Sequence, residues 1–102
     1  MTETIKNDEW VYVVVQKSGQ TETIVGQHDT QNRIDFIPLF KTRDTALQGV
    51  TQLVKEPDQT FEIQAIIYED LLRYASDGSF LLFVLDGRGR VLSKLTSKGE
   101  PV

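Results

Sequence analysis

The chain of 102 residues contains no cysteine. That excludes a disulfide framework, a thiolate metal site and a thiol nucleophile. His28 is the single histidine, so two imidazoles of one chain cannot share a metal, and no metal or other cofactor is expected. A surplus of positive charge is lacking too, with eleven Lys and Arg against fifteen Asp and Glu and a net charge of −4. This balance argues against a broad nucleic-acid footprint or an anionic-membrane patch, and neither partner is expected. The longest apolar run, Phe80-Leu81-Leu82-Phe83-Val84-Leu85, falls far short of the roughly 20 residues that span a bilayer. The first nine residues are polar and acidic, without the basic and then apolar regions of a secretory signal. A soluble, cytoplasmic protein is the expectation.

What is present suits one globular domain. Hydrophobic residues make up 39% of the chain and charged residues 25%, ordinary values for a packed core of this size. Residues 1–8 and 96–102 lack apolar periodicity and are expected to be flexible ends around a domain of residues 9–95.

Residues 10–16 (WVYVVVQ) are β-branched and aromatic on both faces, the signature of a strand covered on each side. Gly19 supplies the turn into a weaker, polar strand over 21–27, where Gly26 marks a bulge or a close backbone approach. Residues 28–32 read as a polar loop. A third strand is expected over 33–39, at an edge or ending at Pro38, because proline donates nothing to a ladder.

Ala46, Leu47, Val50, Leu53 and Val54 form one stripe at helical spacing, with Thr42 or Asp44 as N-cap and Pro57 as the stop. Gly49 inside that helix is explained by close packing on the sheet. Residues 60–68 alternate, with Phe61, Ile63, Ala65 and Ile67 inward and Glu62 and Gln64 outward. A short helix over 69–76, a central apolar strand over 80–85, a turn at 86–89 and a last strand over 90–95 complete the chain. The expected architecture is α+β: two layers, a mostly antiparallel sheet of five or six strands with two helices, in the order β-β-β-α-β-α-β-β.

Phe36-Ile37-Pro38-Leu39-Phe40-Lys41-Thr42-Arg43-Asp44-Thr45-Ala46 resembles the strand-to-helix junction of the SseB-like amino-terminal domain. Tyr68-Glu69-Asp70-Leu71-Leu72 is similar to that family's short second helix, so the resemblance covers residues 36–85. It implies a small bacterial α+β domain associated with protein interaction, and it carries over no catalytic residue.

The chemistry-bearing residues favour plain readings. His28 beside Asp29 could serve acid–base work, but no nucleophile or oxyanion site accompanies it. Gly87-Arg88-Gly89 precedes a strand and lacks the third glycine and the helix of a phosphate loop, so it reads as a hairpin turn. Arg88 and Arg90, with Lys94, form the one compact cationic cluster of the sequence and could meet an acidic peptide or a phosphate. Glu69 and Asp70 suit the first turn of a helix through its dipole. Trp10 and Tyr12 could form a stacking platform, although Asp8-Glu9 flank them and packing explains them better.

Two functions follow. The first is a non-catalytic protein-interaction module, a homodimer included, acting through a sheet face or through the edge at 34–39 or 90–95. The second is a small-ligand-binding or enzymatic domain that joins His28, Asp29 and the turn at 86–90 in one pocket.

Overall fold

The structure, a computed structural model, describes residues 5–55 and 57–102. Its elements are β1 (Trp10–Ser18), β2 (Thr21–Ile24), β3 (Gln27–Asp29), β4 (Ile34–Phe40), α1 (Arg43–Gly49) with a 3-10 turn (Val50–Gln52), β5 (Thr60–Ile67), α2 (Tyr68–Gly78), β6 (Leu81–Leu85) and β7 (Val91–Leu95). They form one mixed, mostly antiparallel sheet of seven strands with two helices, an α+β fold in the expected order with one strand added.

The added strand is β3, where a polar loop was expected over 28–32. Gly19 turns the chain at φ 65° from β1 into β2. The returning chain then changes partner, leaving β1 after the Val25 N–H bonds the Val14 carbonyl and pairing β4 from Gln27 onward. Gly26 sits at the change, where a Cβ would lie 2.9 Å from the Phe80 ring. β2 and β3 thus form a wedge between β1 and β4, which pair directly only at Tyr12↔Phe40 and Val13↔Leu39.

The fork explains Pro38. β4 is interior, not an edge, and it pairs β6 in parallel. Pro38 lies between the two antiparallel pairings of β4, which end at Leu39 on one side and begin at Phe36 on the other. On that side of β4 a missing N–H has no antiparallel pairing to break, while on the other side Pro38 pairs with Phe83 of β6 in parallel.

The pleat of β1 sorts the core. Val11, Val13 and Val15 join Leu71 and Ala75 of α2, whereas Val14 joins Phe40, Phe83 and Ala46 of α1. Successive side chains point to opposite faces, so the two helices cover opposite faces. Three layers replace the two expected from sequence.

Both helices have legible ends. Thr42 is the N-cap of α1, its hydroxyl accepting from the Thr45 N–H at 3.2 Å. That helix stops at Gly49 and gives way to the 3-10 turn, so the stripe through Leu53 and Val54 does not hold and Val54 is 78% exposed. β-branched Val50 and Thr51 favour helix weakly, and the Gln27 amide receives the chain beyond, accepting from the Val54 N–H and donating to its carbonyl. α2 leaves β5 without a side-chain cap. Its first N–H groups instead donate to carbonyls of the chain start, Tyr68 to Glu9 and Glu69 to Asn7, which satisfies donors a helix cannot pair internally. Ser79, at φ 59°, ends α2 in the left-handed region.

The ends of the chain also make specific contacts. Ile5 belongs to the core; residues 1–4 of the expected flexible stretch lie outside the described residues. Near the other end Leu95 bridges Pro101, and the Val102 N–H donates to the Lys94 carbonyl. No helix among the described residues is long and apolar enough to cross a membrane.

Candidate functional site

The loop after β3 and the turn before β7 meet. A cleft of about 360 Å³ on the α1 face is lined by His28, Asp29 and Thr30 on one side and by Gly89 and Val91 on another. Phe36 and Phe83, stacked with centroids 4.1 Å apart, lie in its wall with Leu53 and Leu85. Lys94, directly opposite Phe83 in the sheet, holds its ammonium 5.2 Å from that ring. The hollow is real, but the groups expected to act in it are otherwise engaged.

His28 is paired with Asp35 across the ladder, and its Nδ1 lies 2.8 Å from the Asp35 carboxylate. Both residues border a second hollow, of about 450 Å³, with Tyr74 and Phe80 of the α2 side. Phe36, the neighbour of Asp35, packs on the α1 face, so the pleat sends the imidazole and the Asp29 side chain to opposite faces. Sequence adjacency suggested one site. The strand geometry separates its two members.

Asp29 closes its own turn, accepting from the backbone N–H groups of Gln31 and Asn32 and from the Asn32 side-chain amide. Asp86 does the same for the last hairpin. Its carboxylate accepts from the backbone N–H of Arg88 and of Arg90 and from the Arg90 guanidinium, each at 2.9 Å. Arg90 is therefore tied to its own turn, while Arg88 is exposed beside it. Among the described residues no cluster of three His, Asp or Glu side chains is close enough to hold a metal ion.

Both carboxylates lie below the usual range. The Asn32 amide is the main cause at Asp29, and the Arg90 backbone N–H is the main cause at Asp86. A group depressed in the folded state contributes stability that is complete above its unfolded value, about 3.9, and is lost as the pH falls through its folded value. The melting temperature should therefore fall on acidification below about pH 4, and the double variant Asp29→Asn/Asp86→Asn should show a shallower acid limb. Thermal melts from pH 2 to pH 7 check this, and an unchanged acid limb in the variant would refute it.

Trp10 and Tyr12 share a face of β1 but not a role. Tyr12 is partly buried against the α1-side core, while Trp10 is 59% exposed at the start of the strand. Neither aromatic is flanked on β1 by Lys or Arg until Lys17.

The surface that sequence reasoning missed is an edge. Both expected edges are compromised: β4 is interior, and β7 bulges at Leu92, where its register on β6 shifts between Val84 and Leu85, and is met at its far end by Pro101 and Val102. β5 differs. It pairs β1 in unbroken register from Thr60↔Lys17 to Ile67↔Trp10, and among the described residues no other strand pairs it. It contains no proline, no glycine and one charged residue, Glu62, whose carboxylate Lys17 meets at 3.0 Å. The alternation from Phe61 to Gln64 was legible, whereas Ala65, expected inward, is exposed; no local signal states which strand lies outermost. No family model, no curated protein and no solved structure matches this chain.

Proposed function

We propose that this chain is a non-catalytic protein-interaction module whose β5 edge accepts an extended strand from a partner. The observation that carries the reading is the unbroken eight-residue register of β5 on one side and, among the described residues, no strand on the other. Natural sheets blunt their edges with bulges, prolines, charges or covering loops, because unpaired N–H and C=O groups template further pairing. β7 carries a bulge and a covering chain end, whereas β5 has no bulge and no proline and carries a single charge, Glu62. Strand addition draws affinity from main-chain bonds and selectivity from alternate side chains, here Phe61, Ile63 and Ala65 on one face and Glu62 and Gln64 on the other. The resemblance of residues 36–85 to the SseB-like domain supports the same reading.

The cleft favours a second reading, a small-ligand site, because residues 28–30 do border one hollow with Gly89 and Val91. Its carboxylate is spent on a turn and its imidazole faces away, so the edge is the better reading.

The test is selection of extended peptides from a random library, followed by proline substitution. Alternate residues of an edge strand turn their N–H outward, so proline at one of the two neighbours Gln64 and Ala65 removes only an unpaired donor. The variant that keeps the wild-type circular dichroism spectrum should lose peptide affinity at least about tenfold, or 1.4 kcal/mol. Undiminished affinity in that variant, or peptides that bind in the cleft instead, would overturn the reading.

A further inference from the structure

The strand-addition reading leaves open what the incoming strand is. Resting on that reading, we infer that β5 pairs antiparallel with β5 of a second copy of this chain, about a two-fold axis that passes between the two copies of Ile63. Such an axis stands perpendicular to the sheet and keeps each face with itself, so odd-numbered residues must oppose odd-numbered residues. Two registers then use nearly the whole strand, one centred on Ile63 and one on Gln64.

The side chains choose between them. About Ile63, Phe61 opposes Ala65 of the second copy, the largest side chain of the strand facing the smallest. Ala65 is exposed and lies beside Tyr12 in the ladder, which leaves room at the rim for an incoming ring. Ile63 meets its own copy, and cross-strand apolar pairs of this kind stabilise a sheet. On the other face Glu62 opposes Gln64, whose amide can donate to the carboxylate, while Lys17 offsets the charge from the same chain. Like charges oppose each other nowhere. About Gln64, by contrast, Glu62 would face Ile66 and Phe61 would face Ile67, setting a charge against an aliphatic side chain and two large residues together. Self-complementarity in charge and volume belongs to the Ile63 register alone.

A seven-residue strand pair buries less than about 1,200 Å², the weak class of interface, so dimerisation is expected at micromolar or higher concentration. The absence of cysteine makes the register readable with single thiols. Residues directly opposite in an antiparallel pair have Cα atoms about 4.5–5.5 Å apart, within the disulfide range. In this register the two copies of Gln64 are offset by two positions and lie about 8 Å apart, outside it.

The experiment compares Ile63→Cys and Gln64→Cys under mild oxidation, with analytical ultracentrifugation of the wild-type chain up to millimolar concentration. The expected result is a reversible wild-type dimer, a disulfide-linked dimer for Ile63→Cys with unchanged circular dichroism, and little or none for Gln64→Cys. Preferential cross-linking of Gln64→Cys would overturn the Ile63 register. A wild-type chain that stays monomeric, with no Ile63→Cys dimer, would overturn self-pairing. Peptide selection would then still decide the broader strand-addition reading. A third variant, Ala65→Glu, alters an exposed position and should abolish the dimer while leaving the monomer folded; a dimer that survives it would also count against the inference.

Discussion

Phe40→Ala is expected to cost about 3–5 kcal/mol, the range for removing a fully buried aromatic ring. Domains of this size have about 5–15 kcal/mol to lose, so the variant should be marginal at room temperature. Phe40 is 0% exposed and sits at the end of β4, opposite Tyr12 of β1. Its ring occupies the space between the sheet and α1, where Ala46 and Gly49 present no bulk. Emptying that space therefore removes both transfer energy and the surface on which α1 rests. Urea denaturation checks the loss, and a cost below about 1.5 kcal/mol would mean that the helix can collapse onto the strand.

Gly49→Ala is the complementary expectation, because it adds volume at the same contact. Alanine at a helical position is ordinarily better than glycine by about 1 kcal/mol. Here a Cβ would run into the Phe40 ring and come within 3.0 Å of the Asp86 carbonyl oxygen. Overpacking a buried site costs about 1–3 kcal/mol, and neither the buried ring nor the backbone carbonyl is a flexible side-chain end that can swing aside. The packing term wins, and the variant should be less stable than the wild type. The two positions should also be coupled. Gly49→Ala combined with Phe40→Leu should cost less than the sum of the single changes, because the shorter side chain yields the space the methyl needs. Strict additivity would contradict the account of why glycine stands there.

Gly49 was legible for the reason the structure bears out: a glycine within an apolar helical stripe implies close approach. The Thr42 cap, the Gly19 turn and the alternation from Phe61 to Gln64 were legible in the same local way, since each depends on a few neighbouring residues; Ala65, expected inward, is exposed, and Tyr68 begins α2. β3 was not, because Gln27-His28-Asp29 is short, polar and turned to solvent on His28; its pairing comes from β4, seven residues away in sequence. Pro38 misled because the rule that places it at an edge does not foresee a fork, where an interior strand lacks a neighbour on one side for two residues. The division of the helices between faces was hidden as well, since an apolar stripe shows that a face is covered but not which one.

The same limit separates the candidate site from its outcome. His28 and Asp29 are adjacent in sequence and divided by the pleat, while the outermost place of β5 among the described strands depends on its pairing with β1 alone. Strand order is set by pairings between distant segments, and residues 60–67 look the same whether they lie inside or outside.

Residue-resolved amide exchange on dilute chain tests the central claim most directly. The expected result is that every second amide of Thr60–Ile67, those turned away from β1, exchanges close to the rate of an unstructured peptide, while the intervening amides are protected. Addition of a selected peptide, or a rise in chain concentration if the second copy is the partner, should then protect the outward set. Full protection of β5 in dilute chain before any partner is added would contradict the account, because its edge would already be covered.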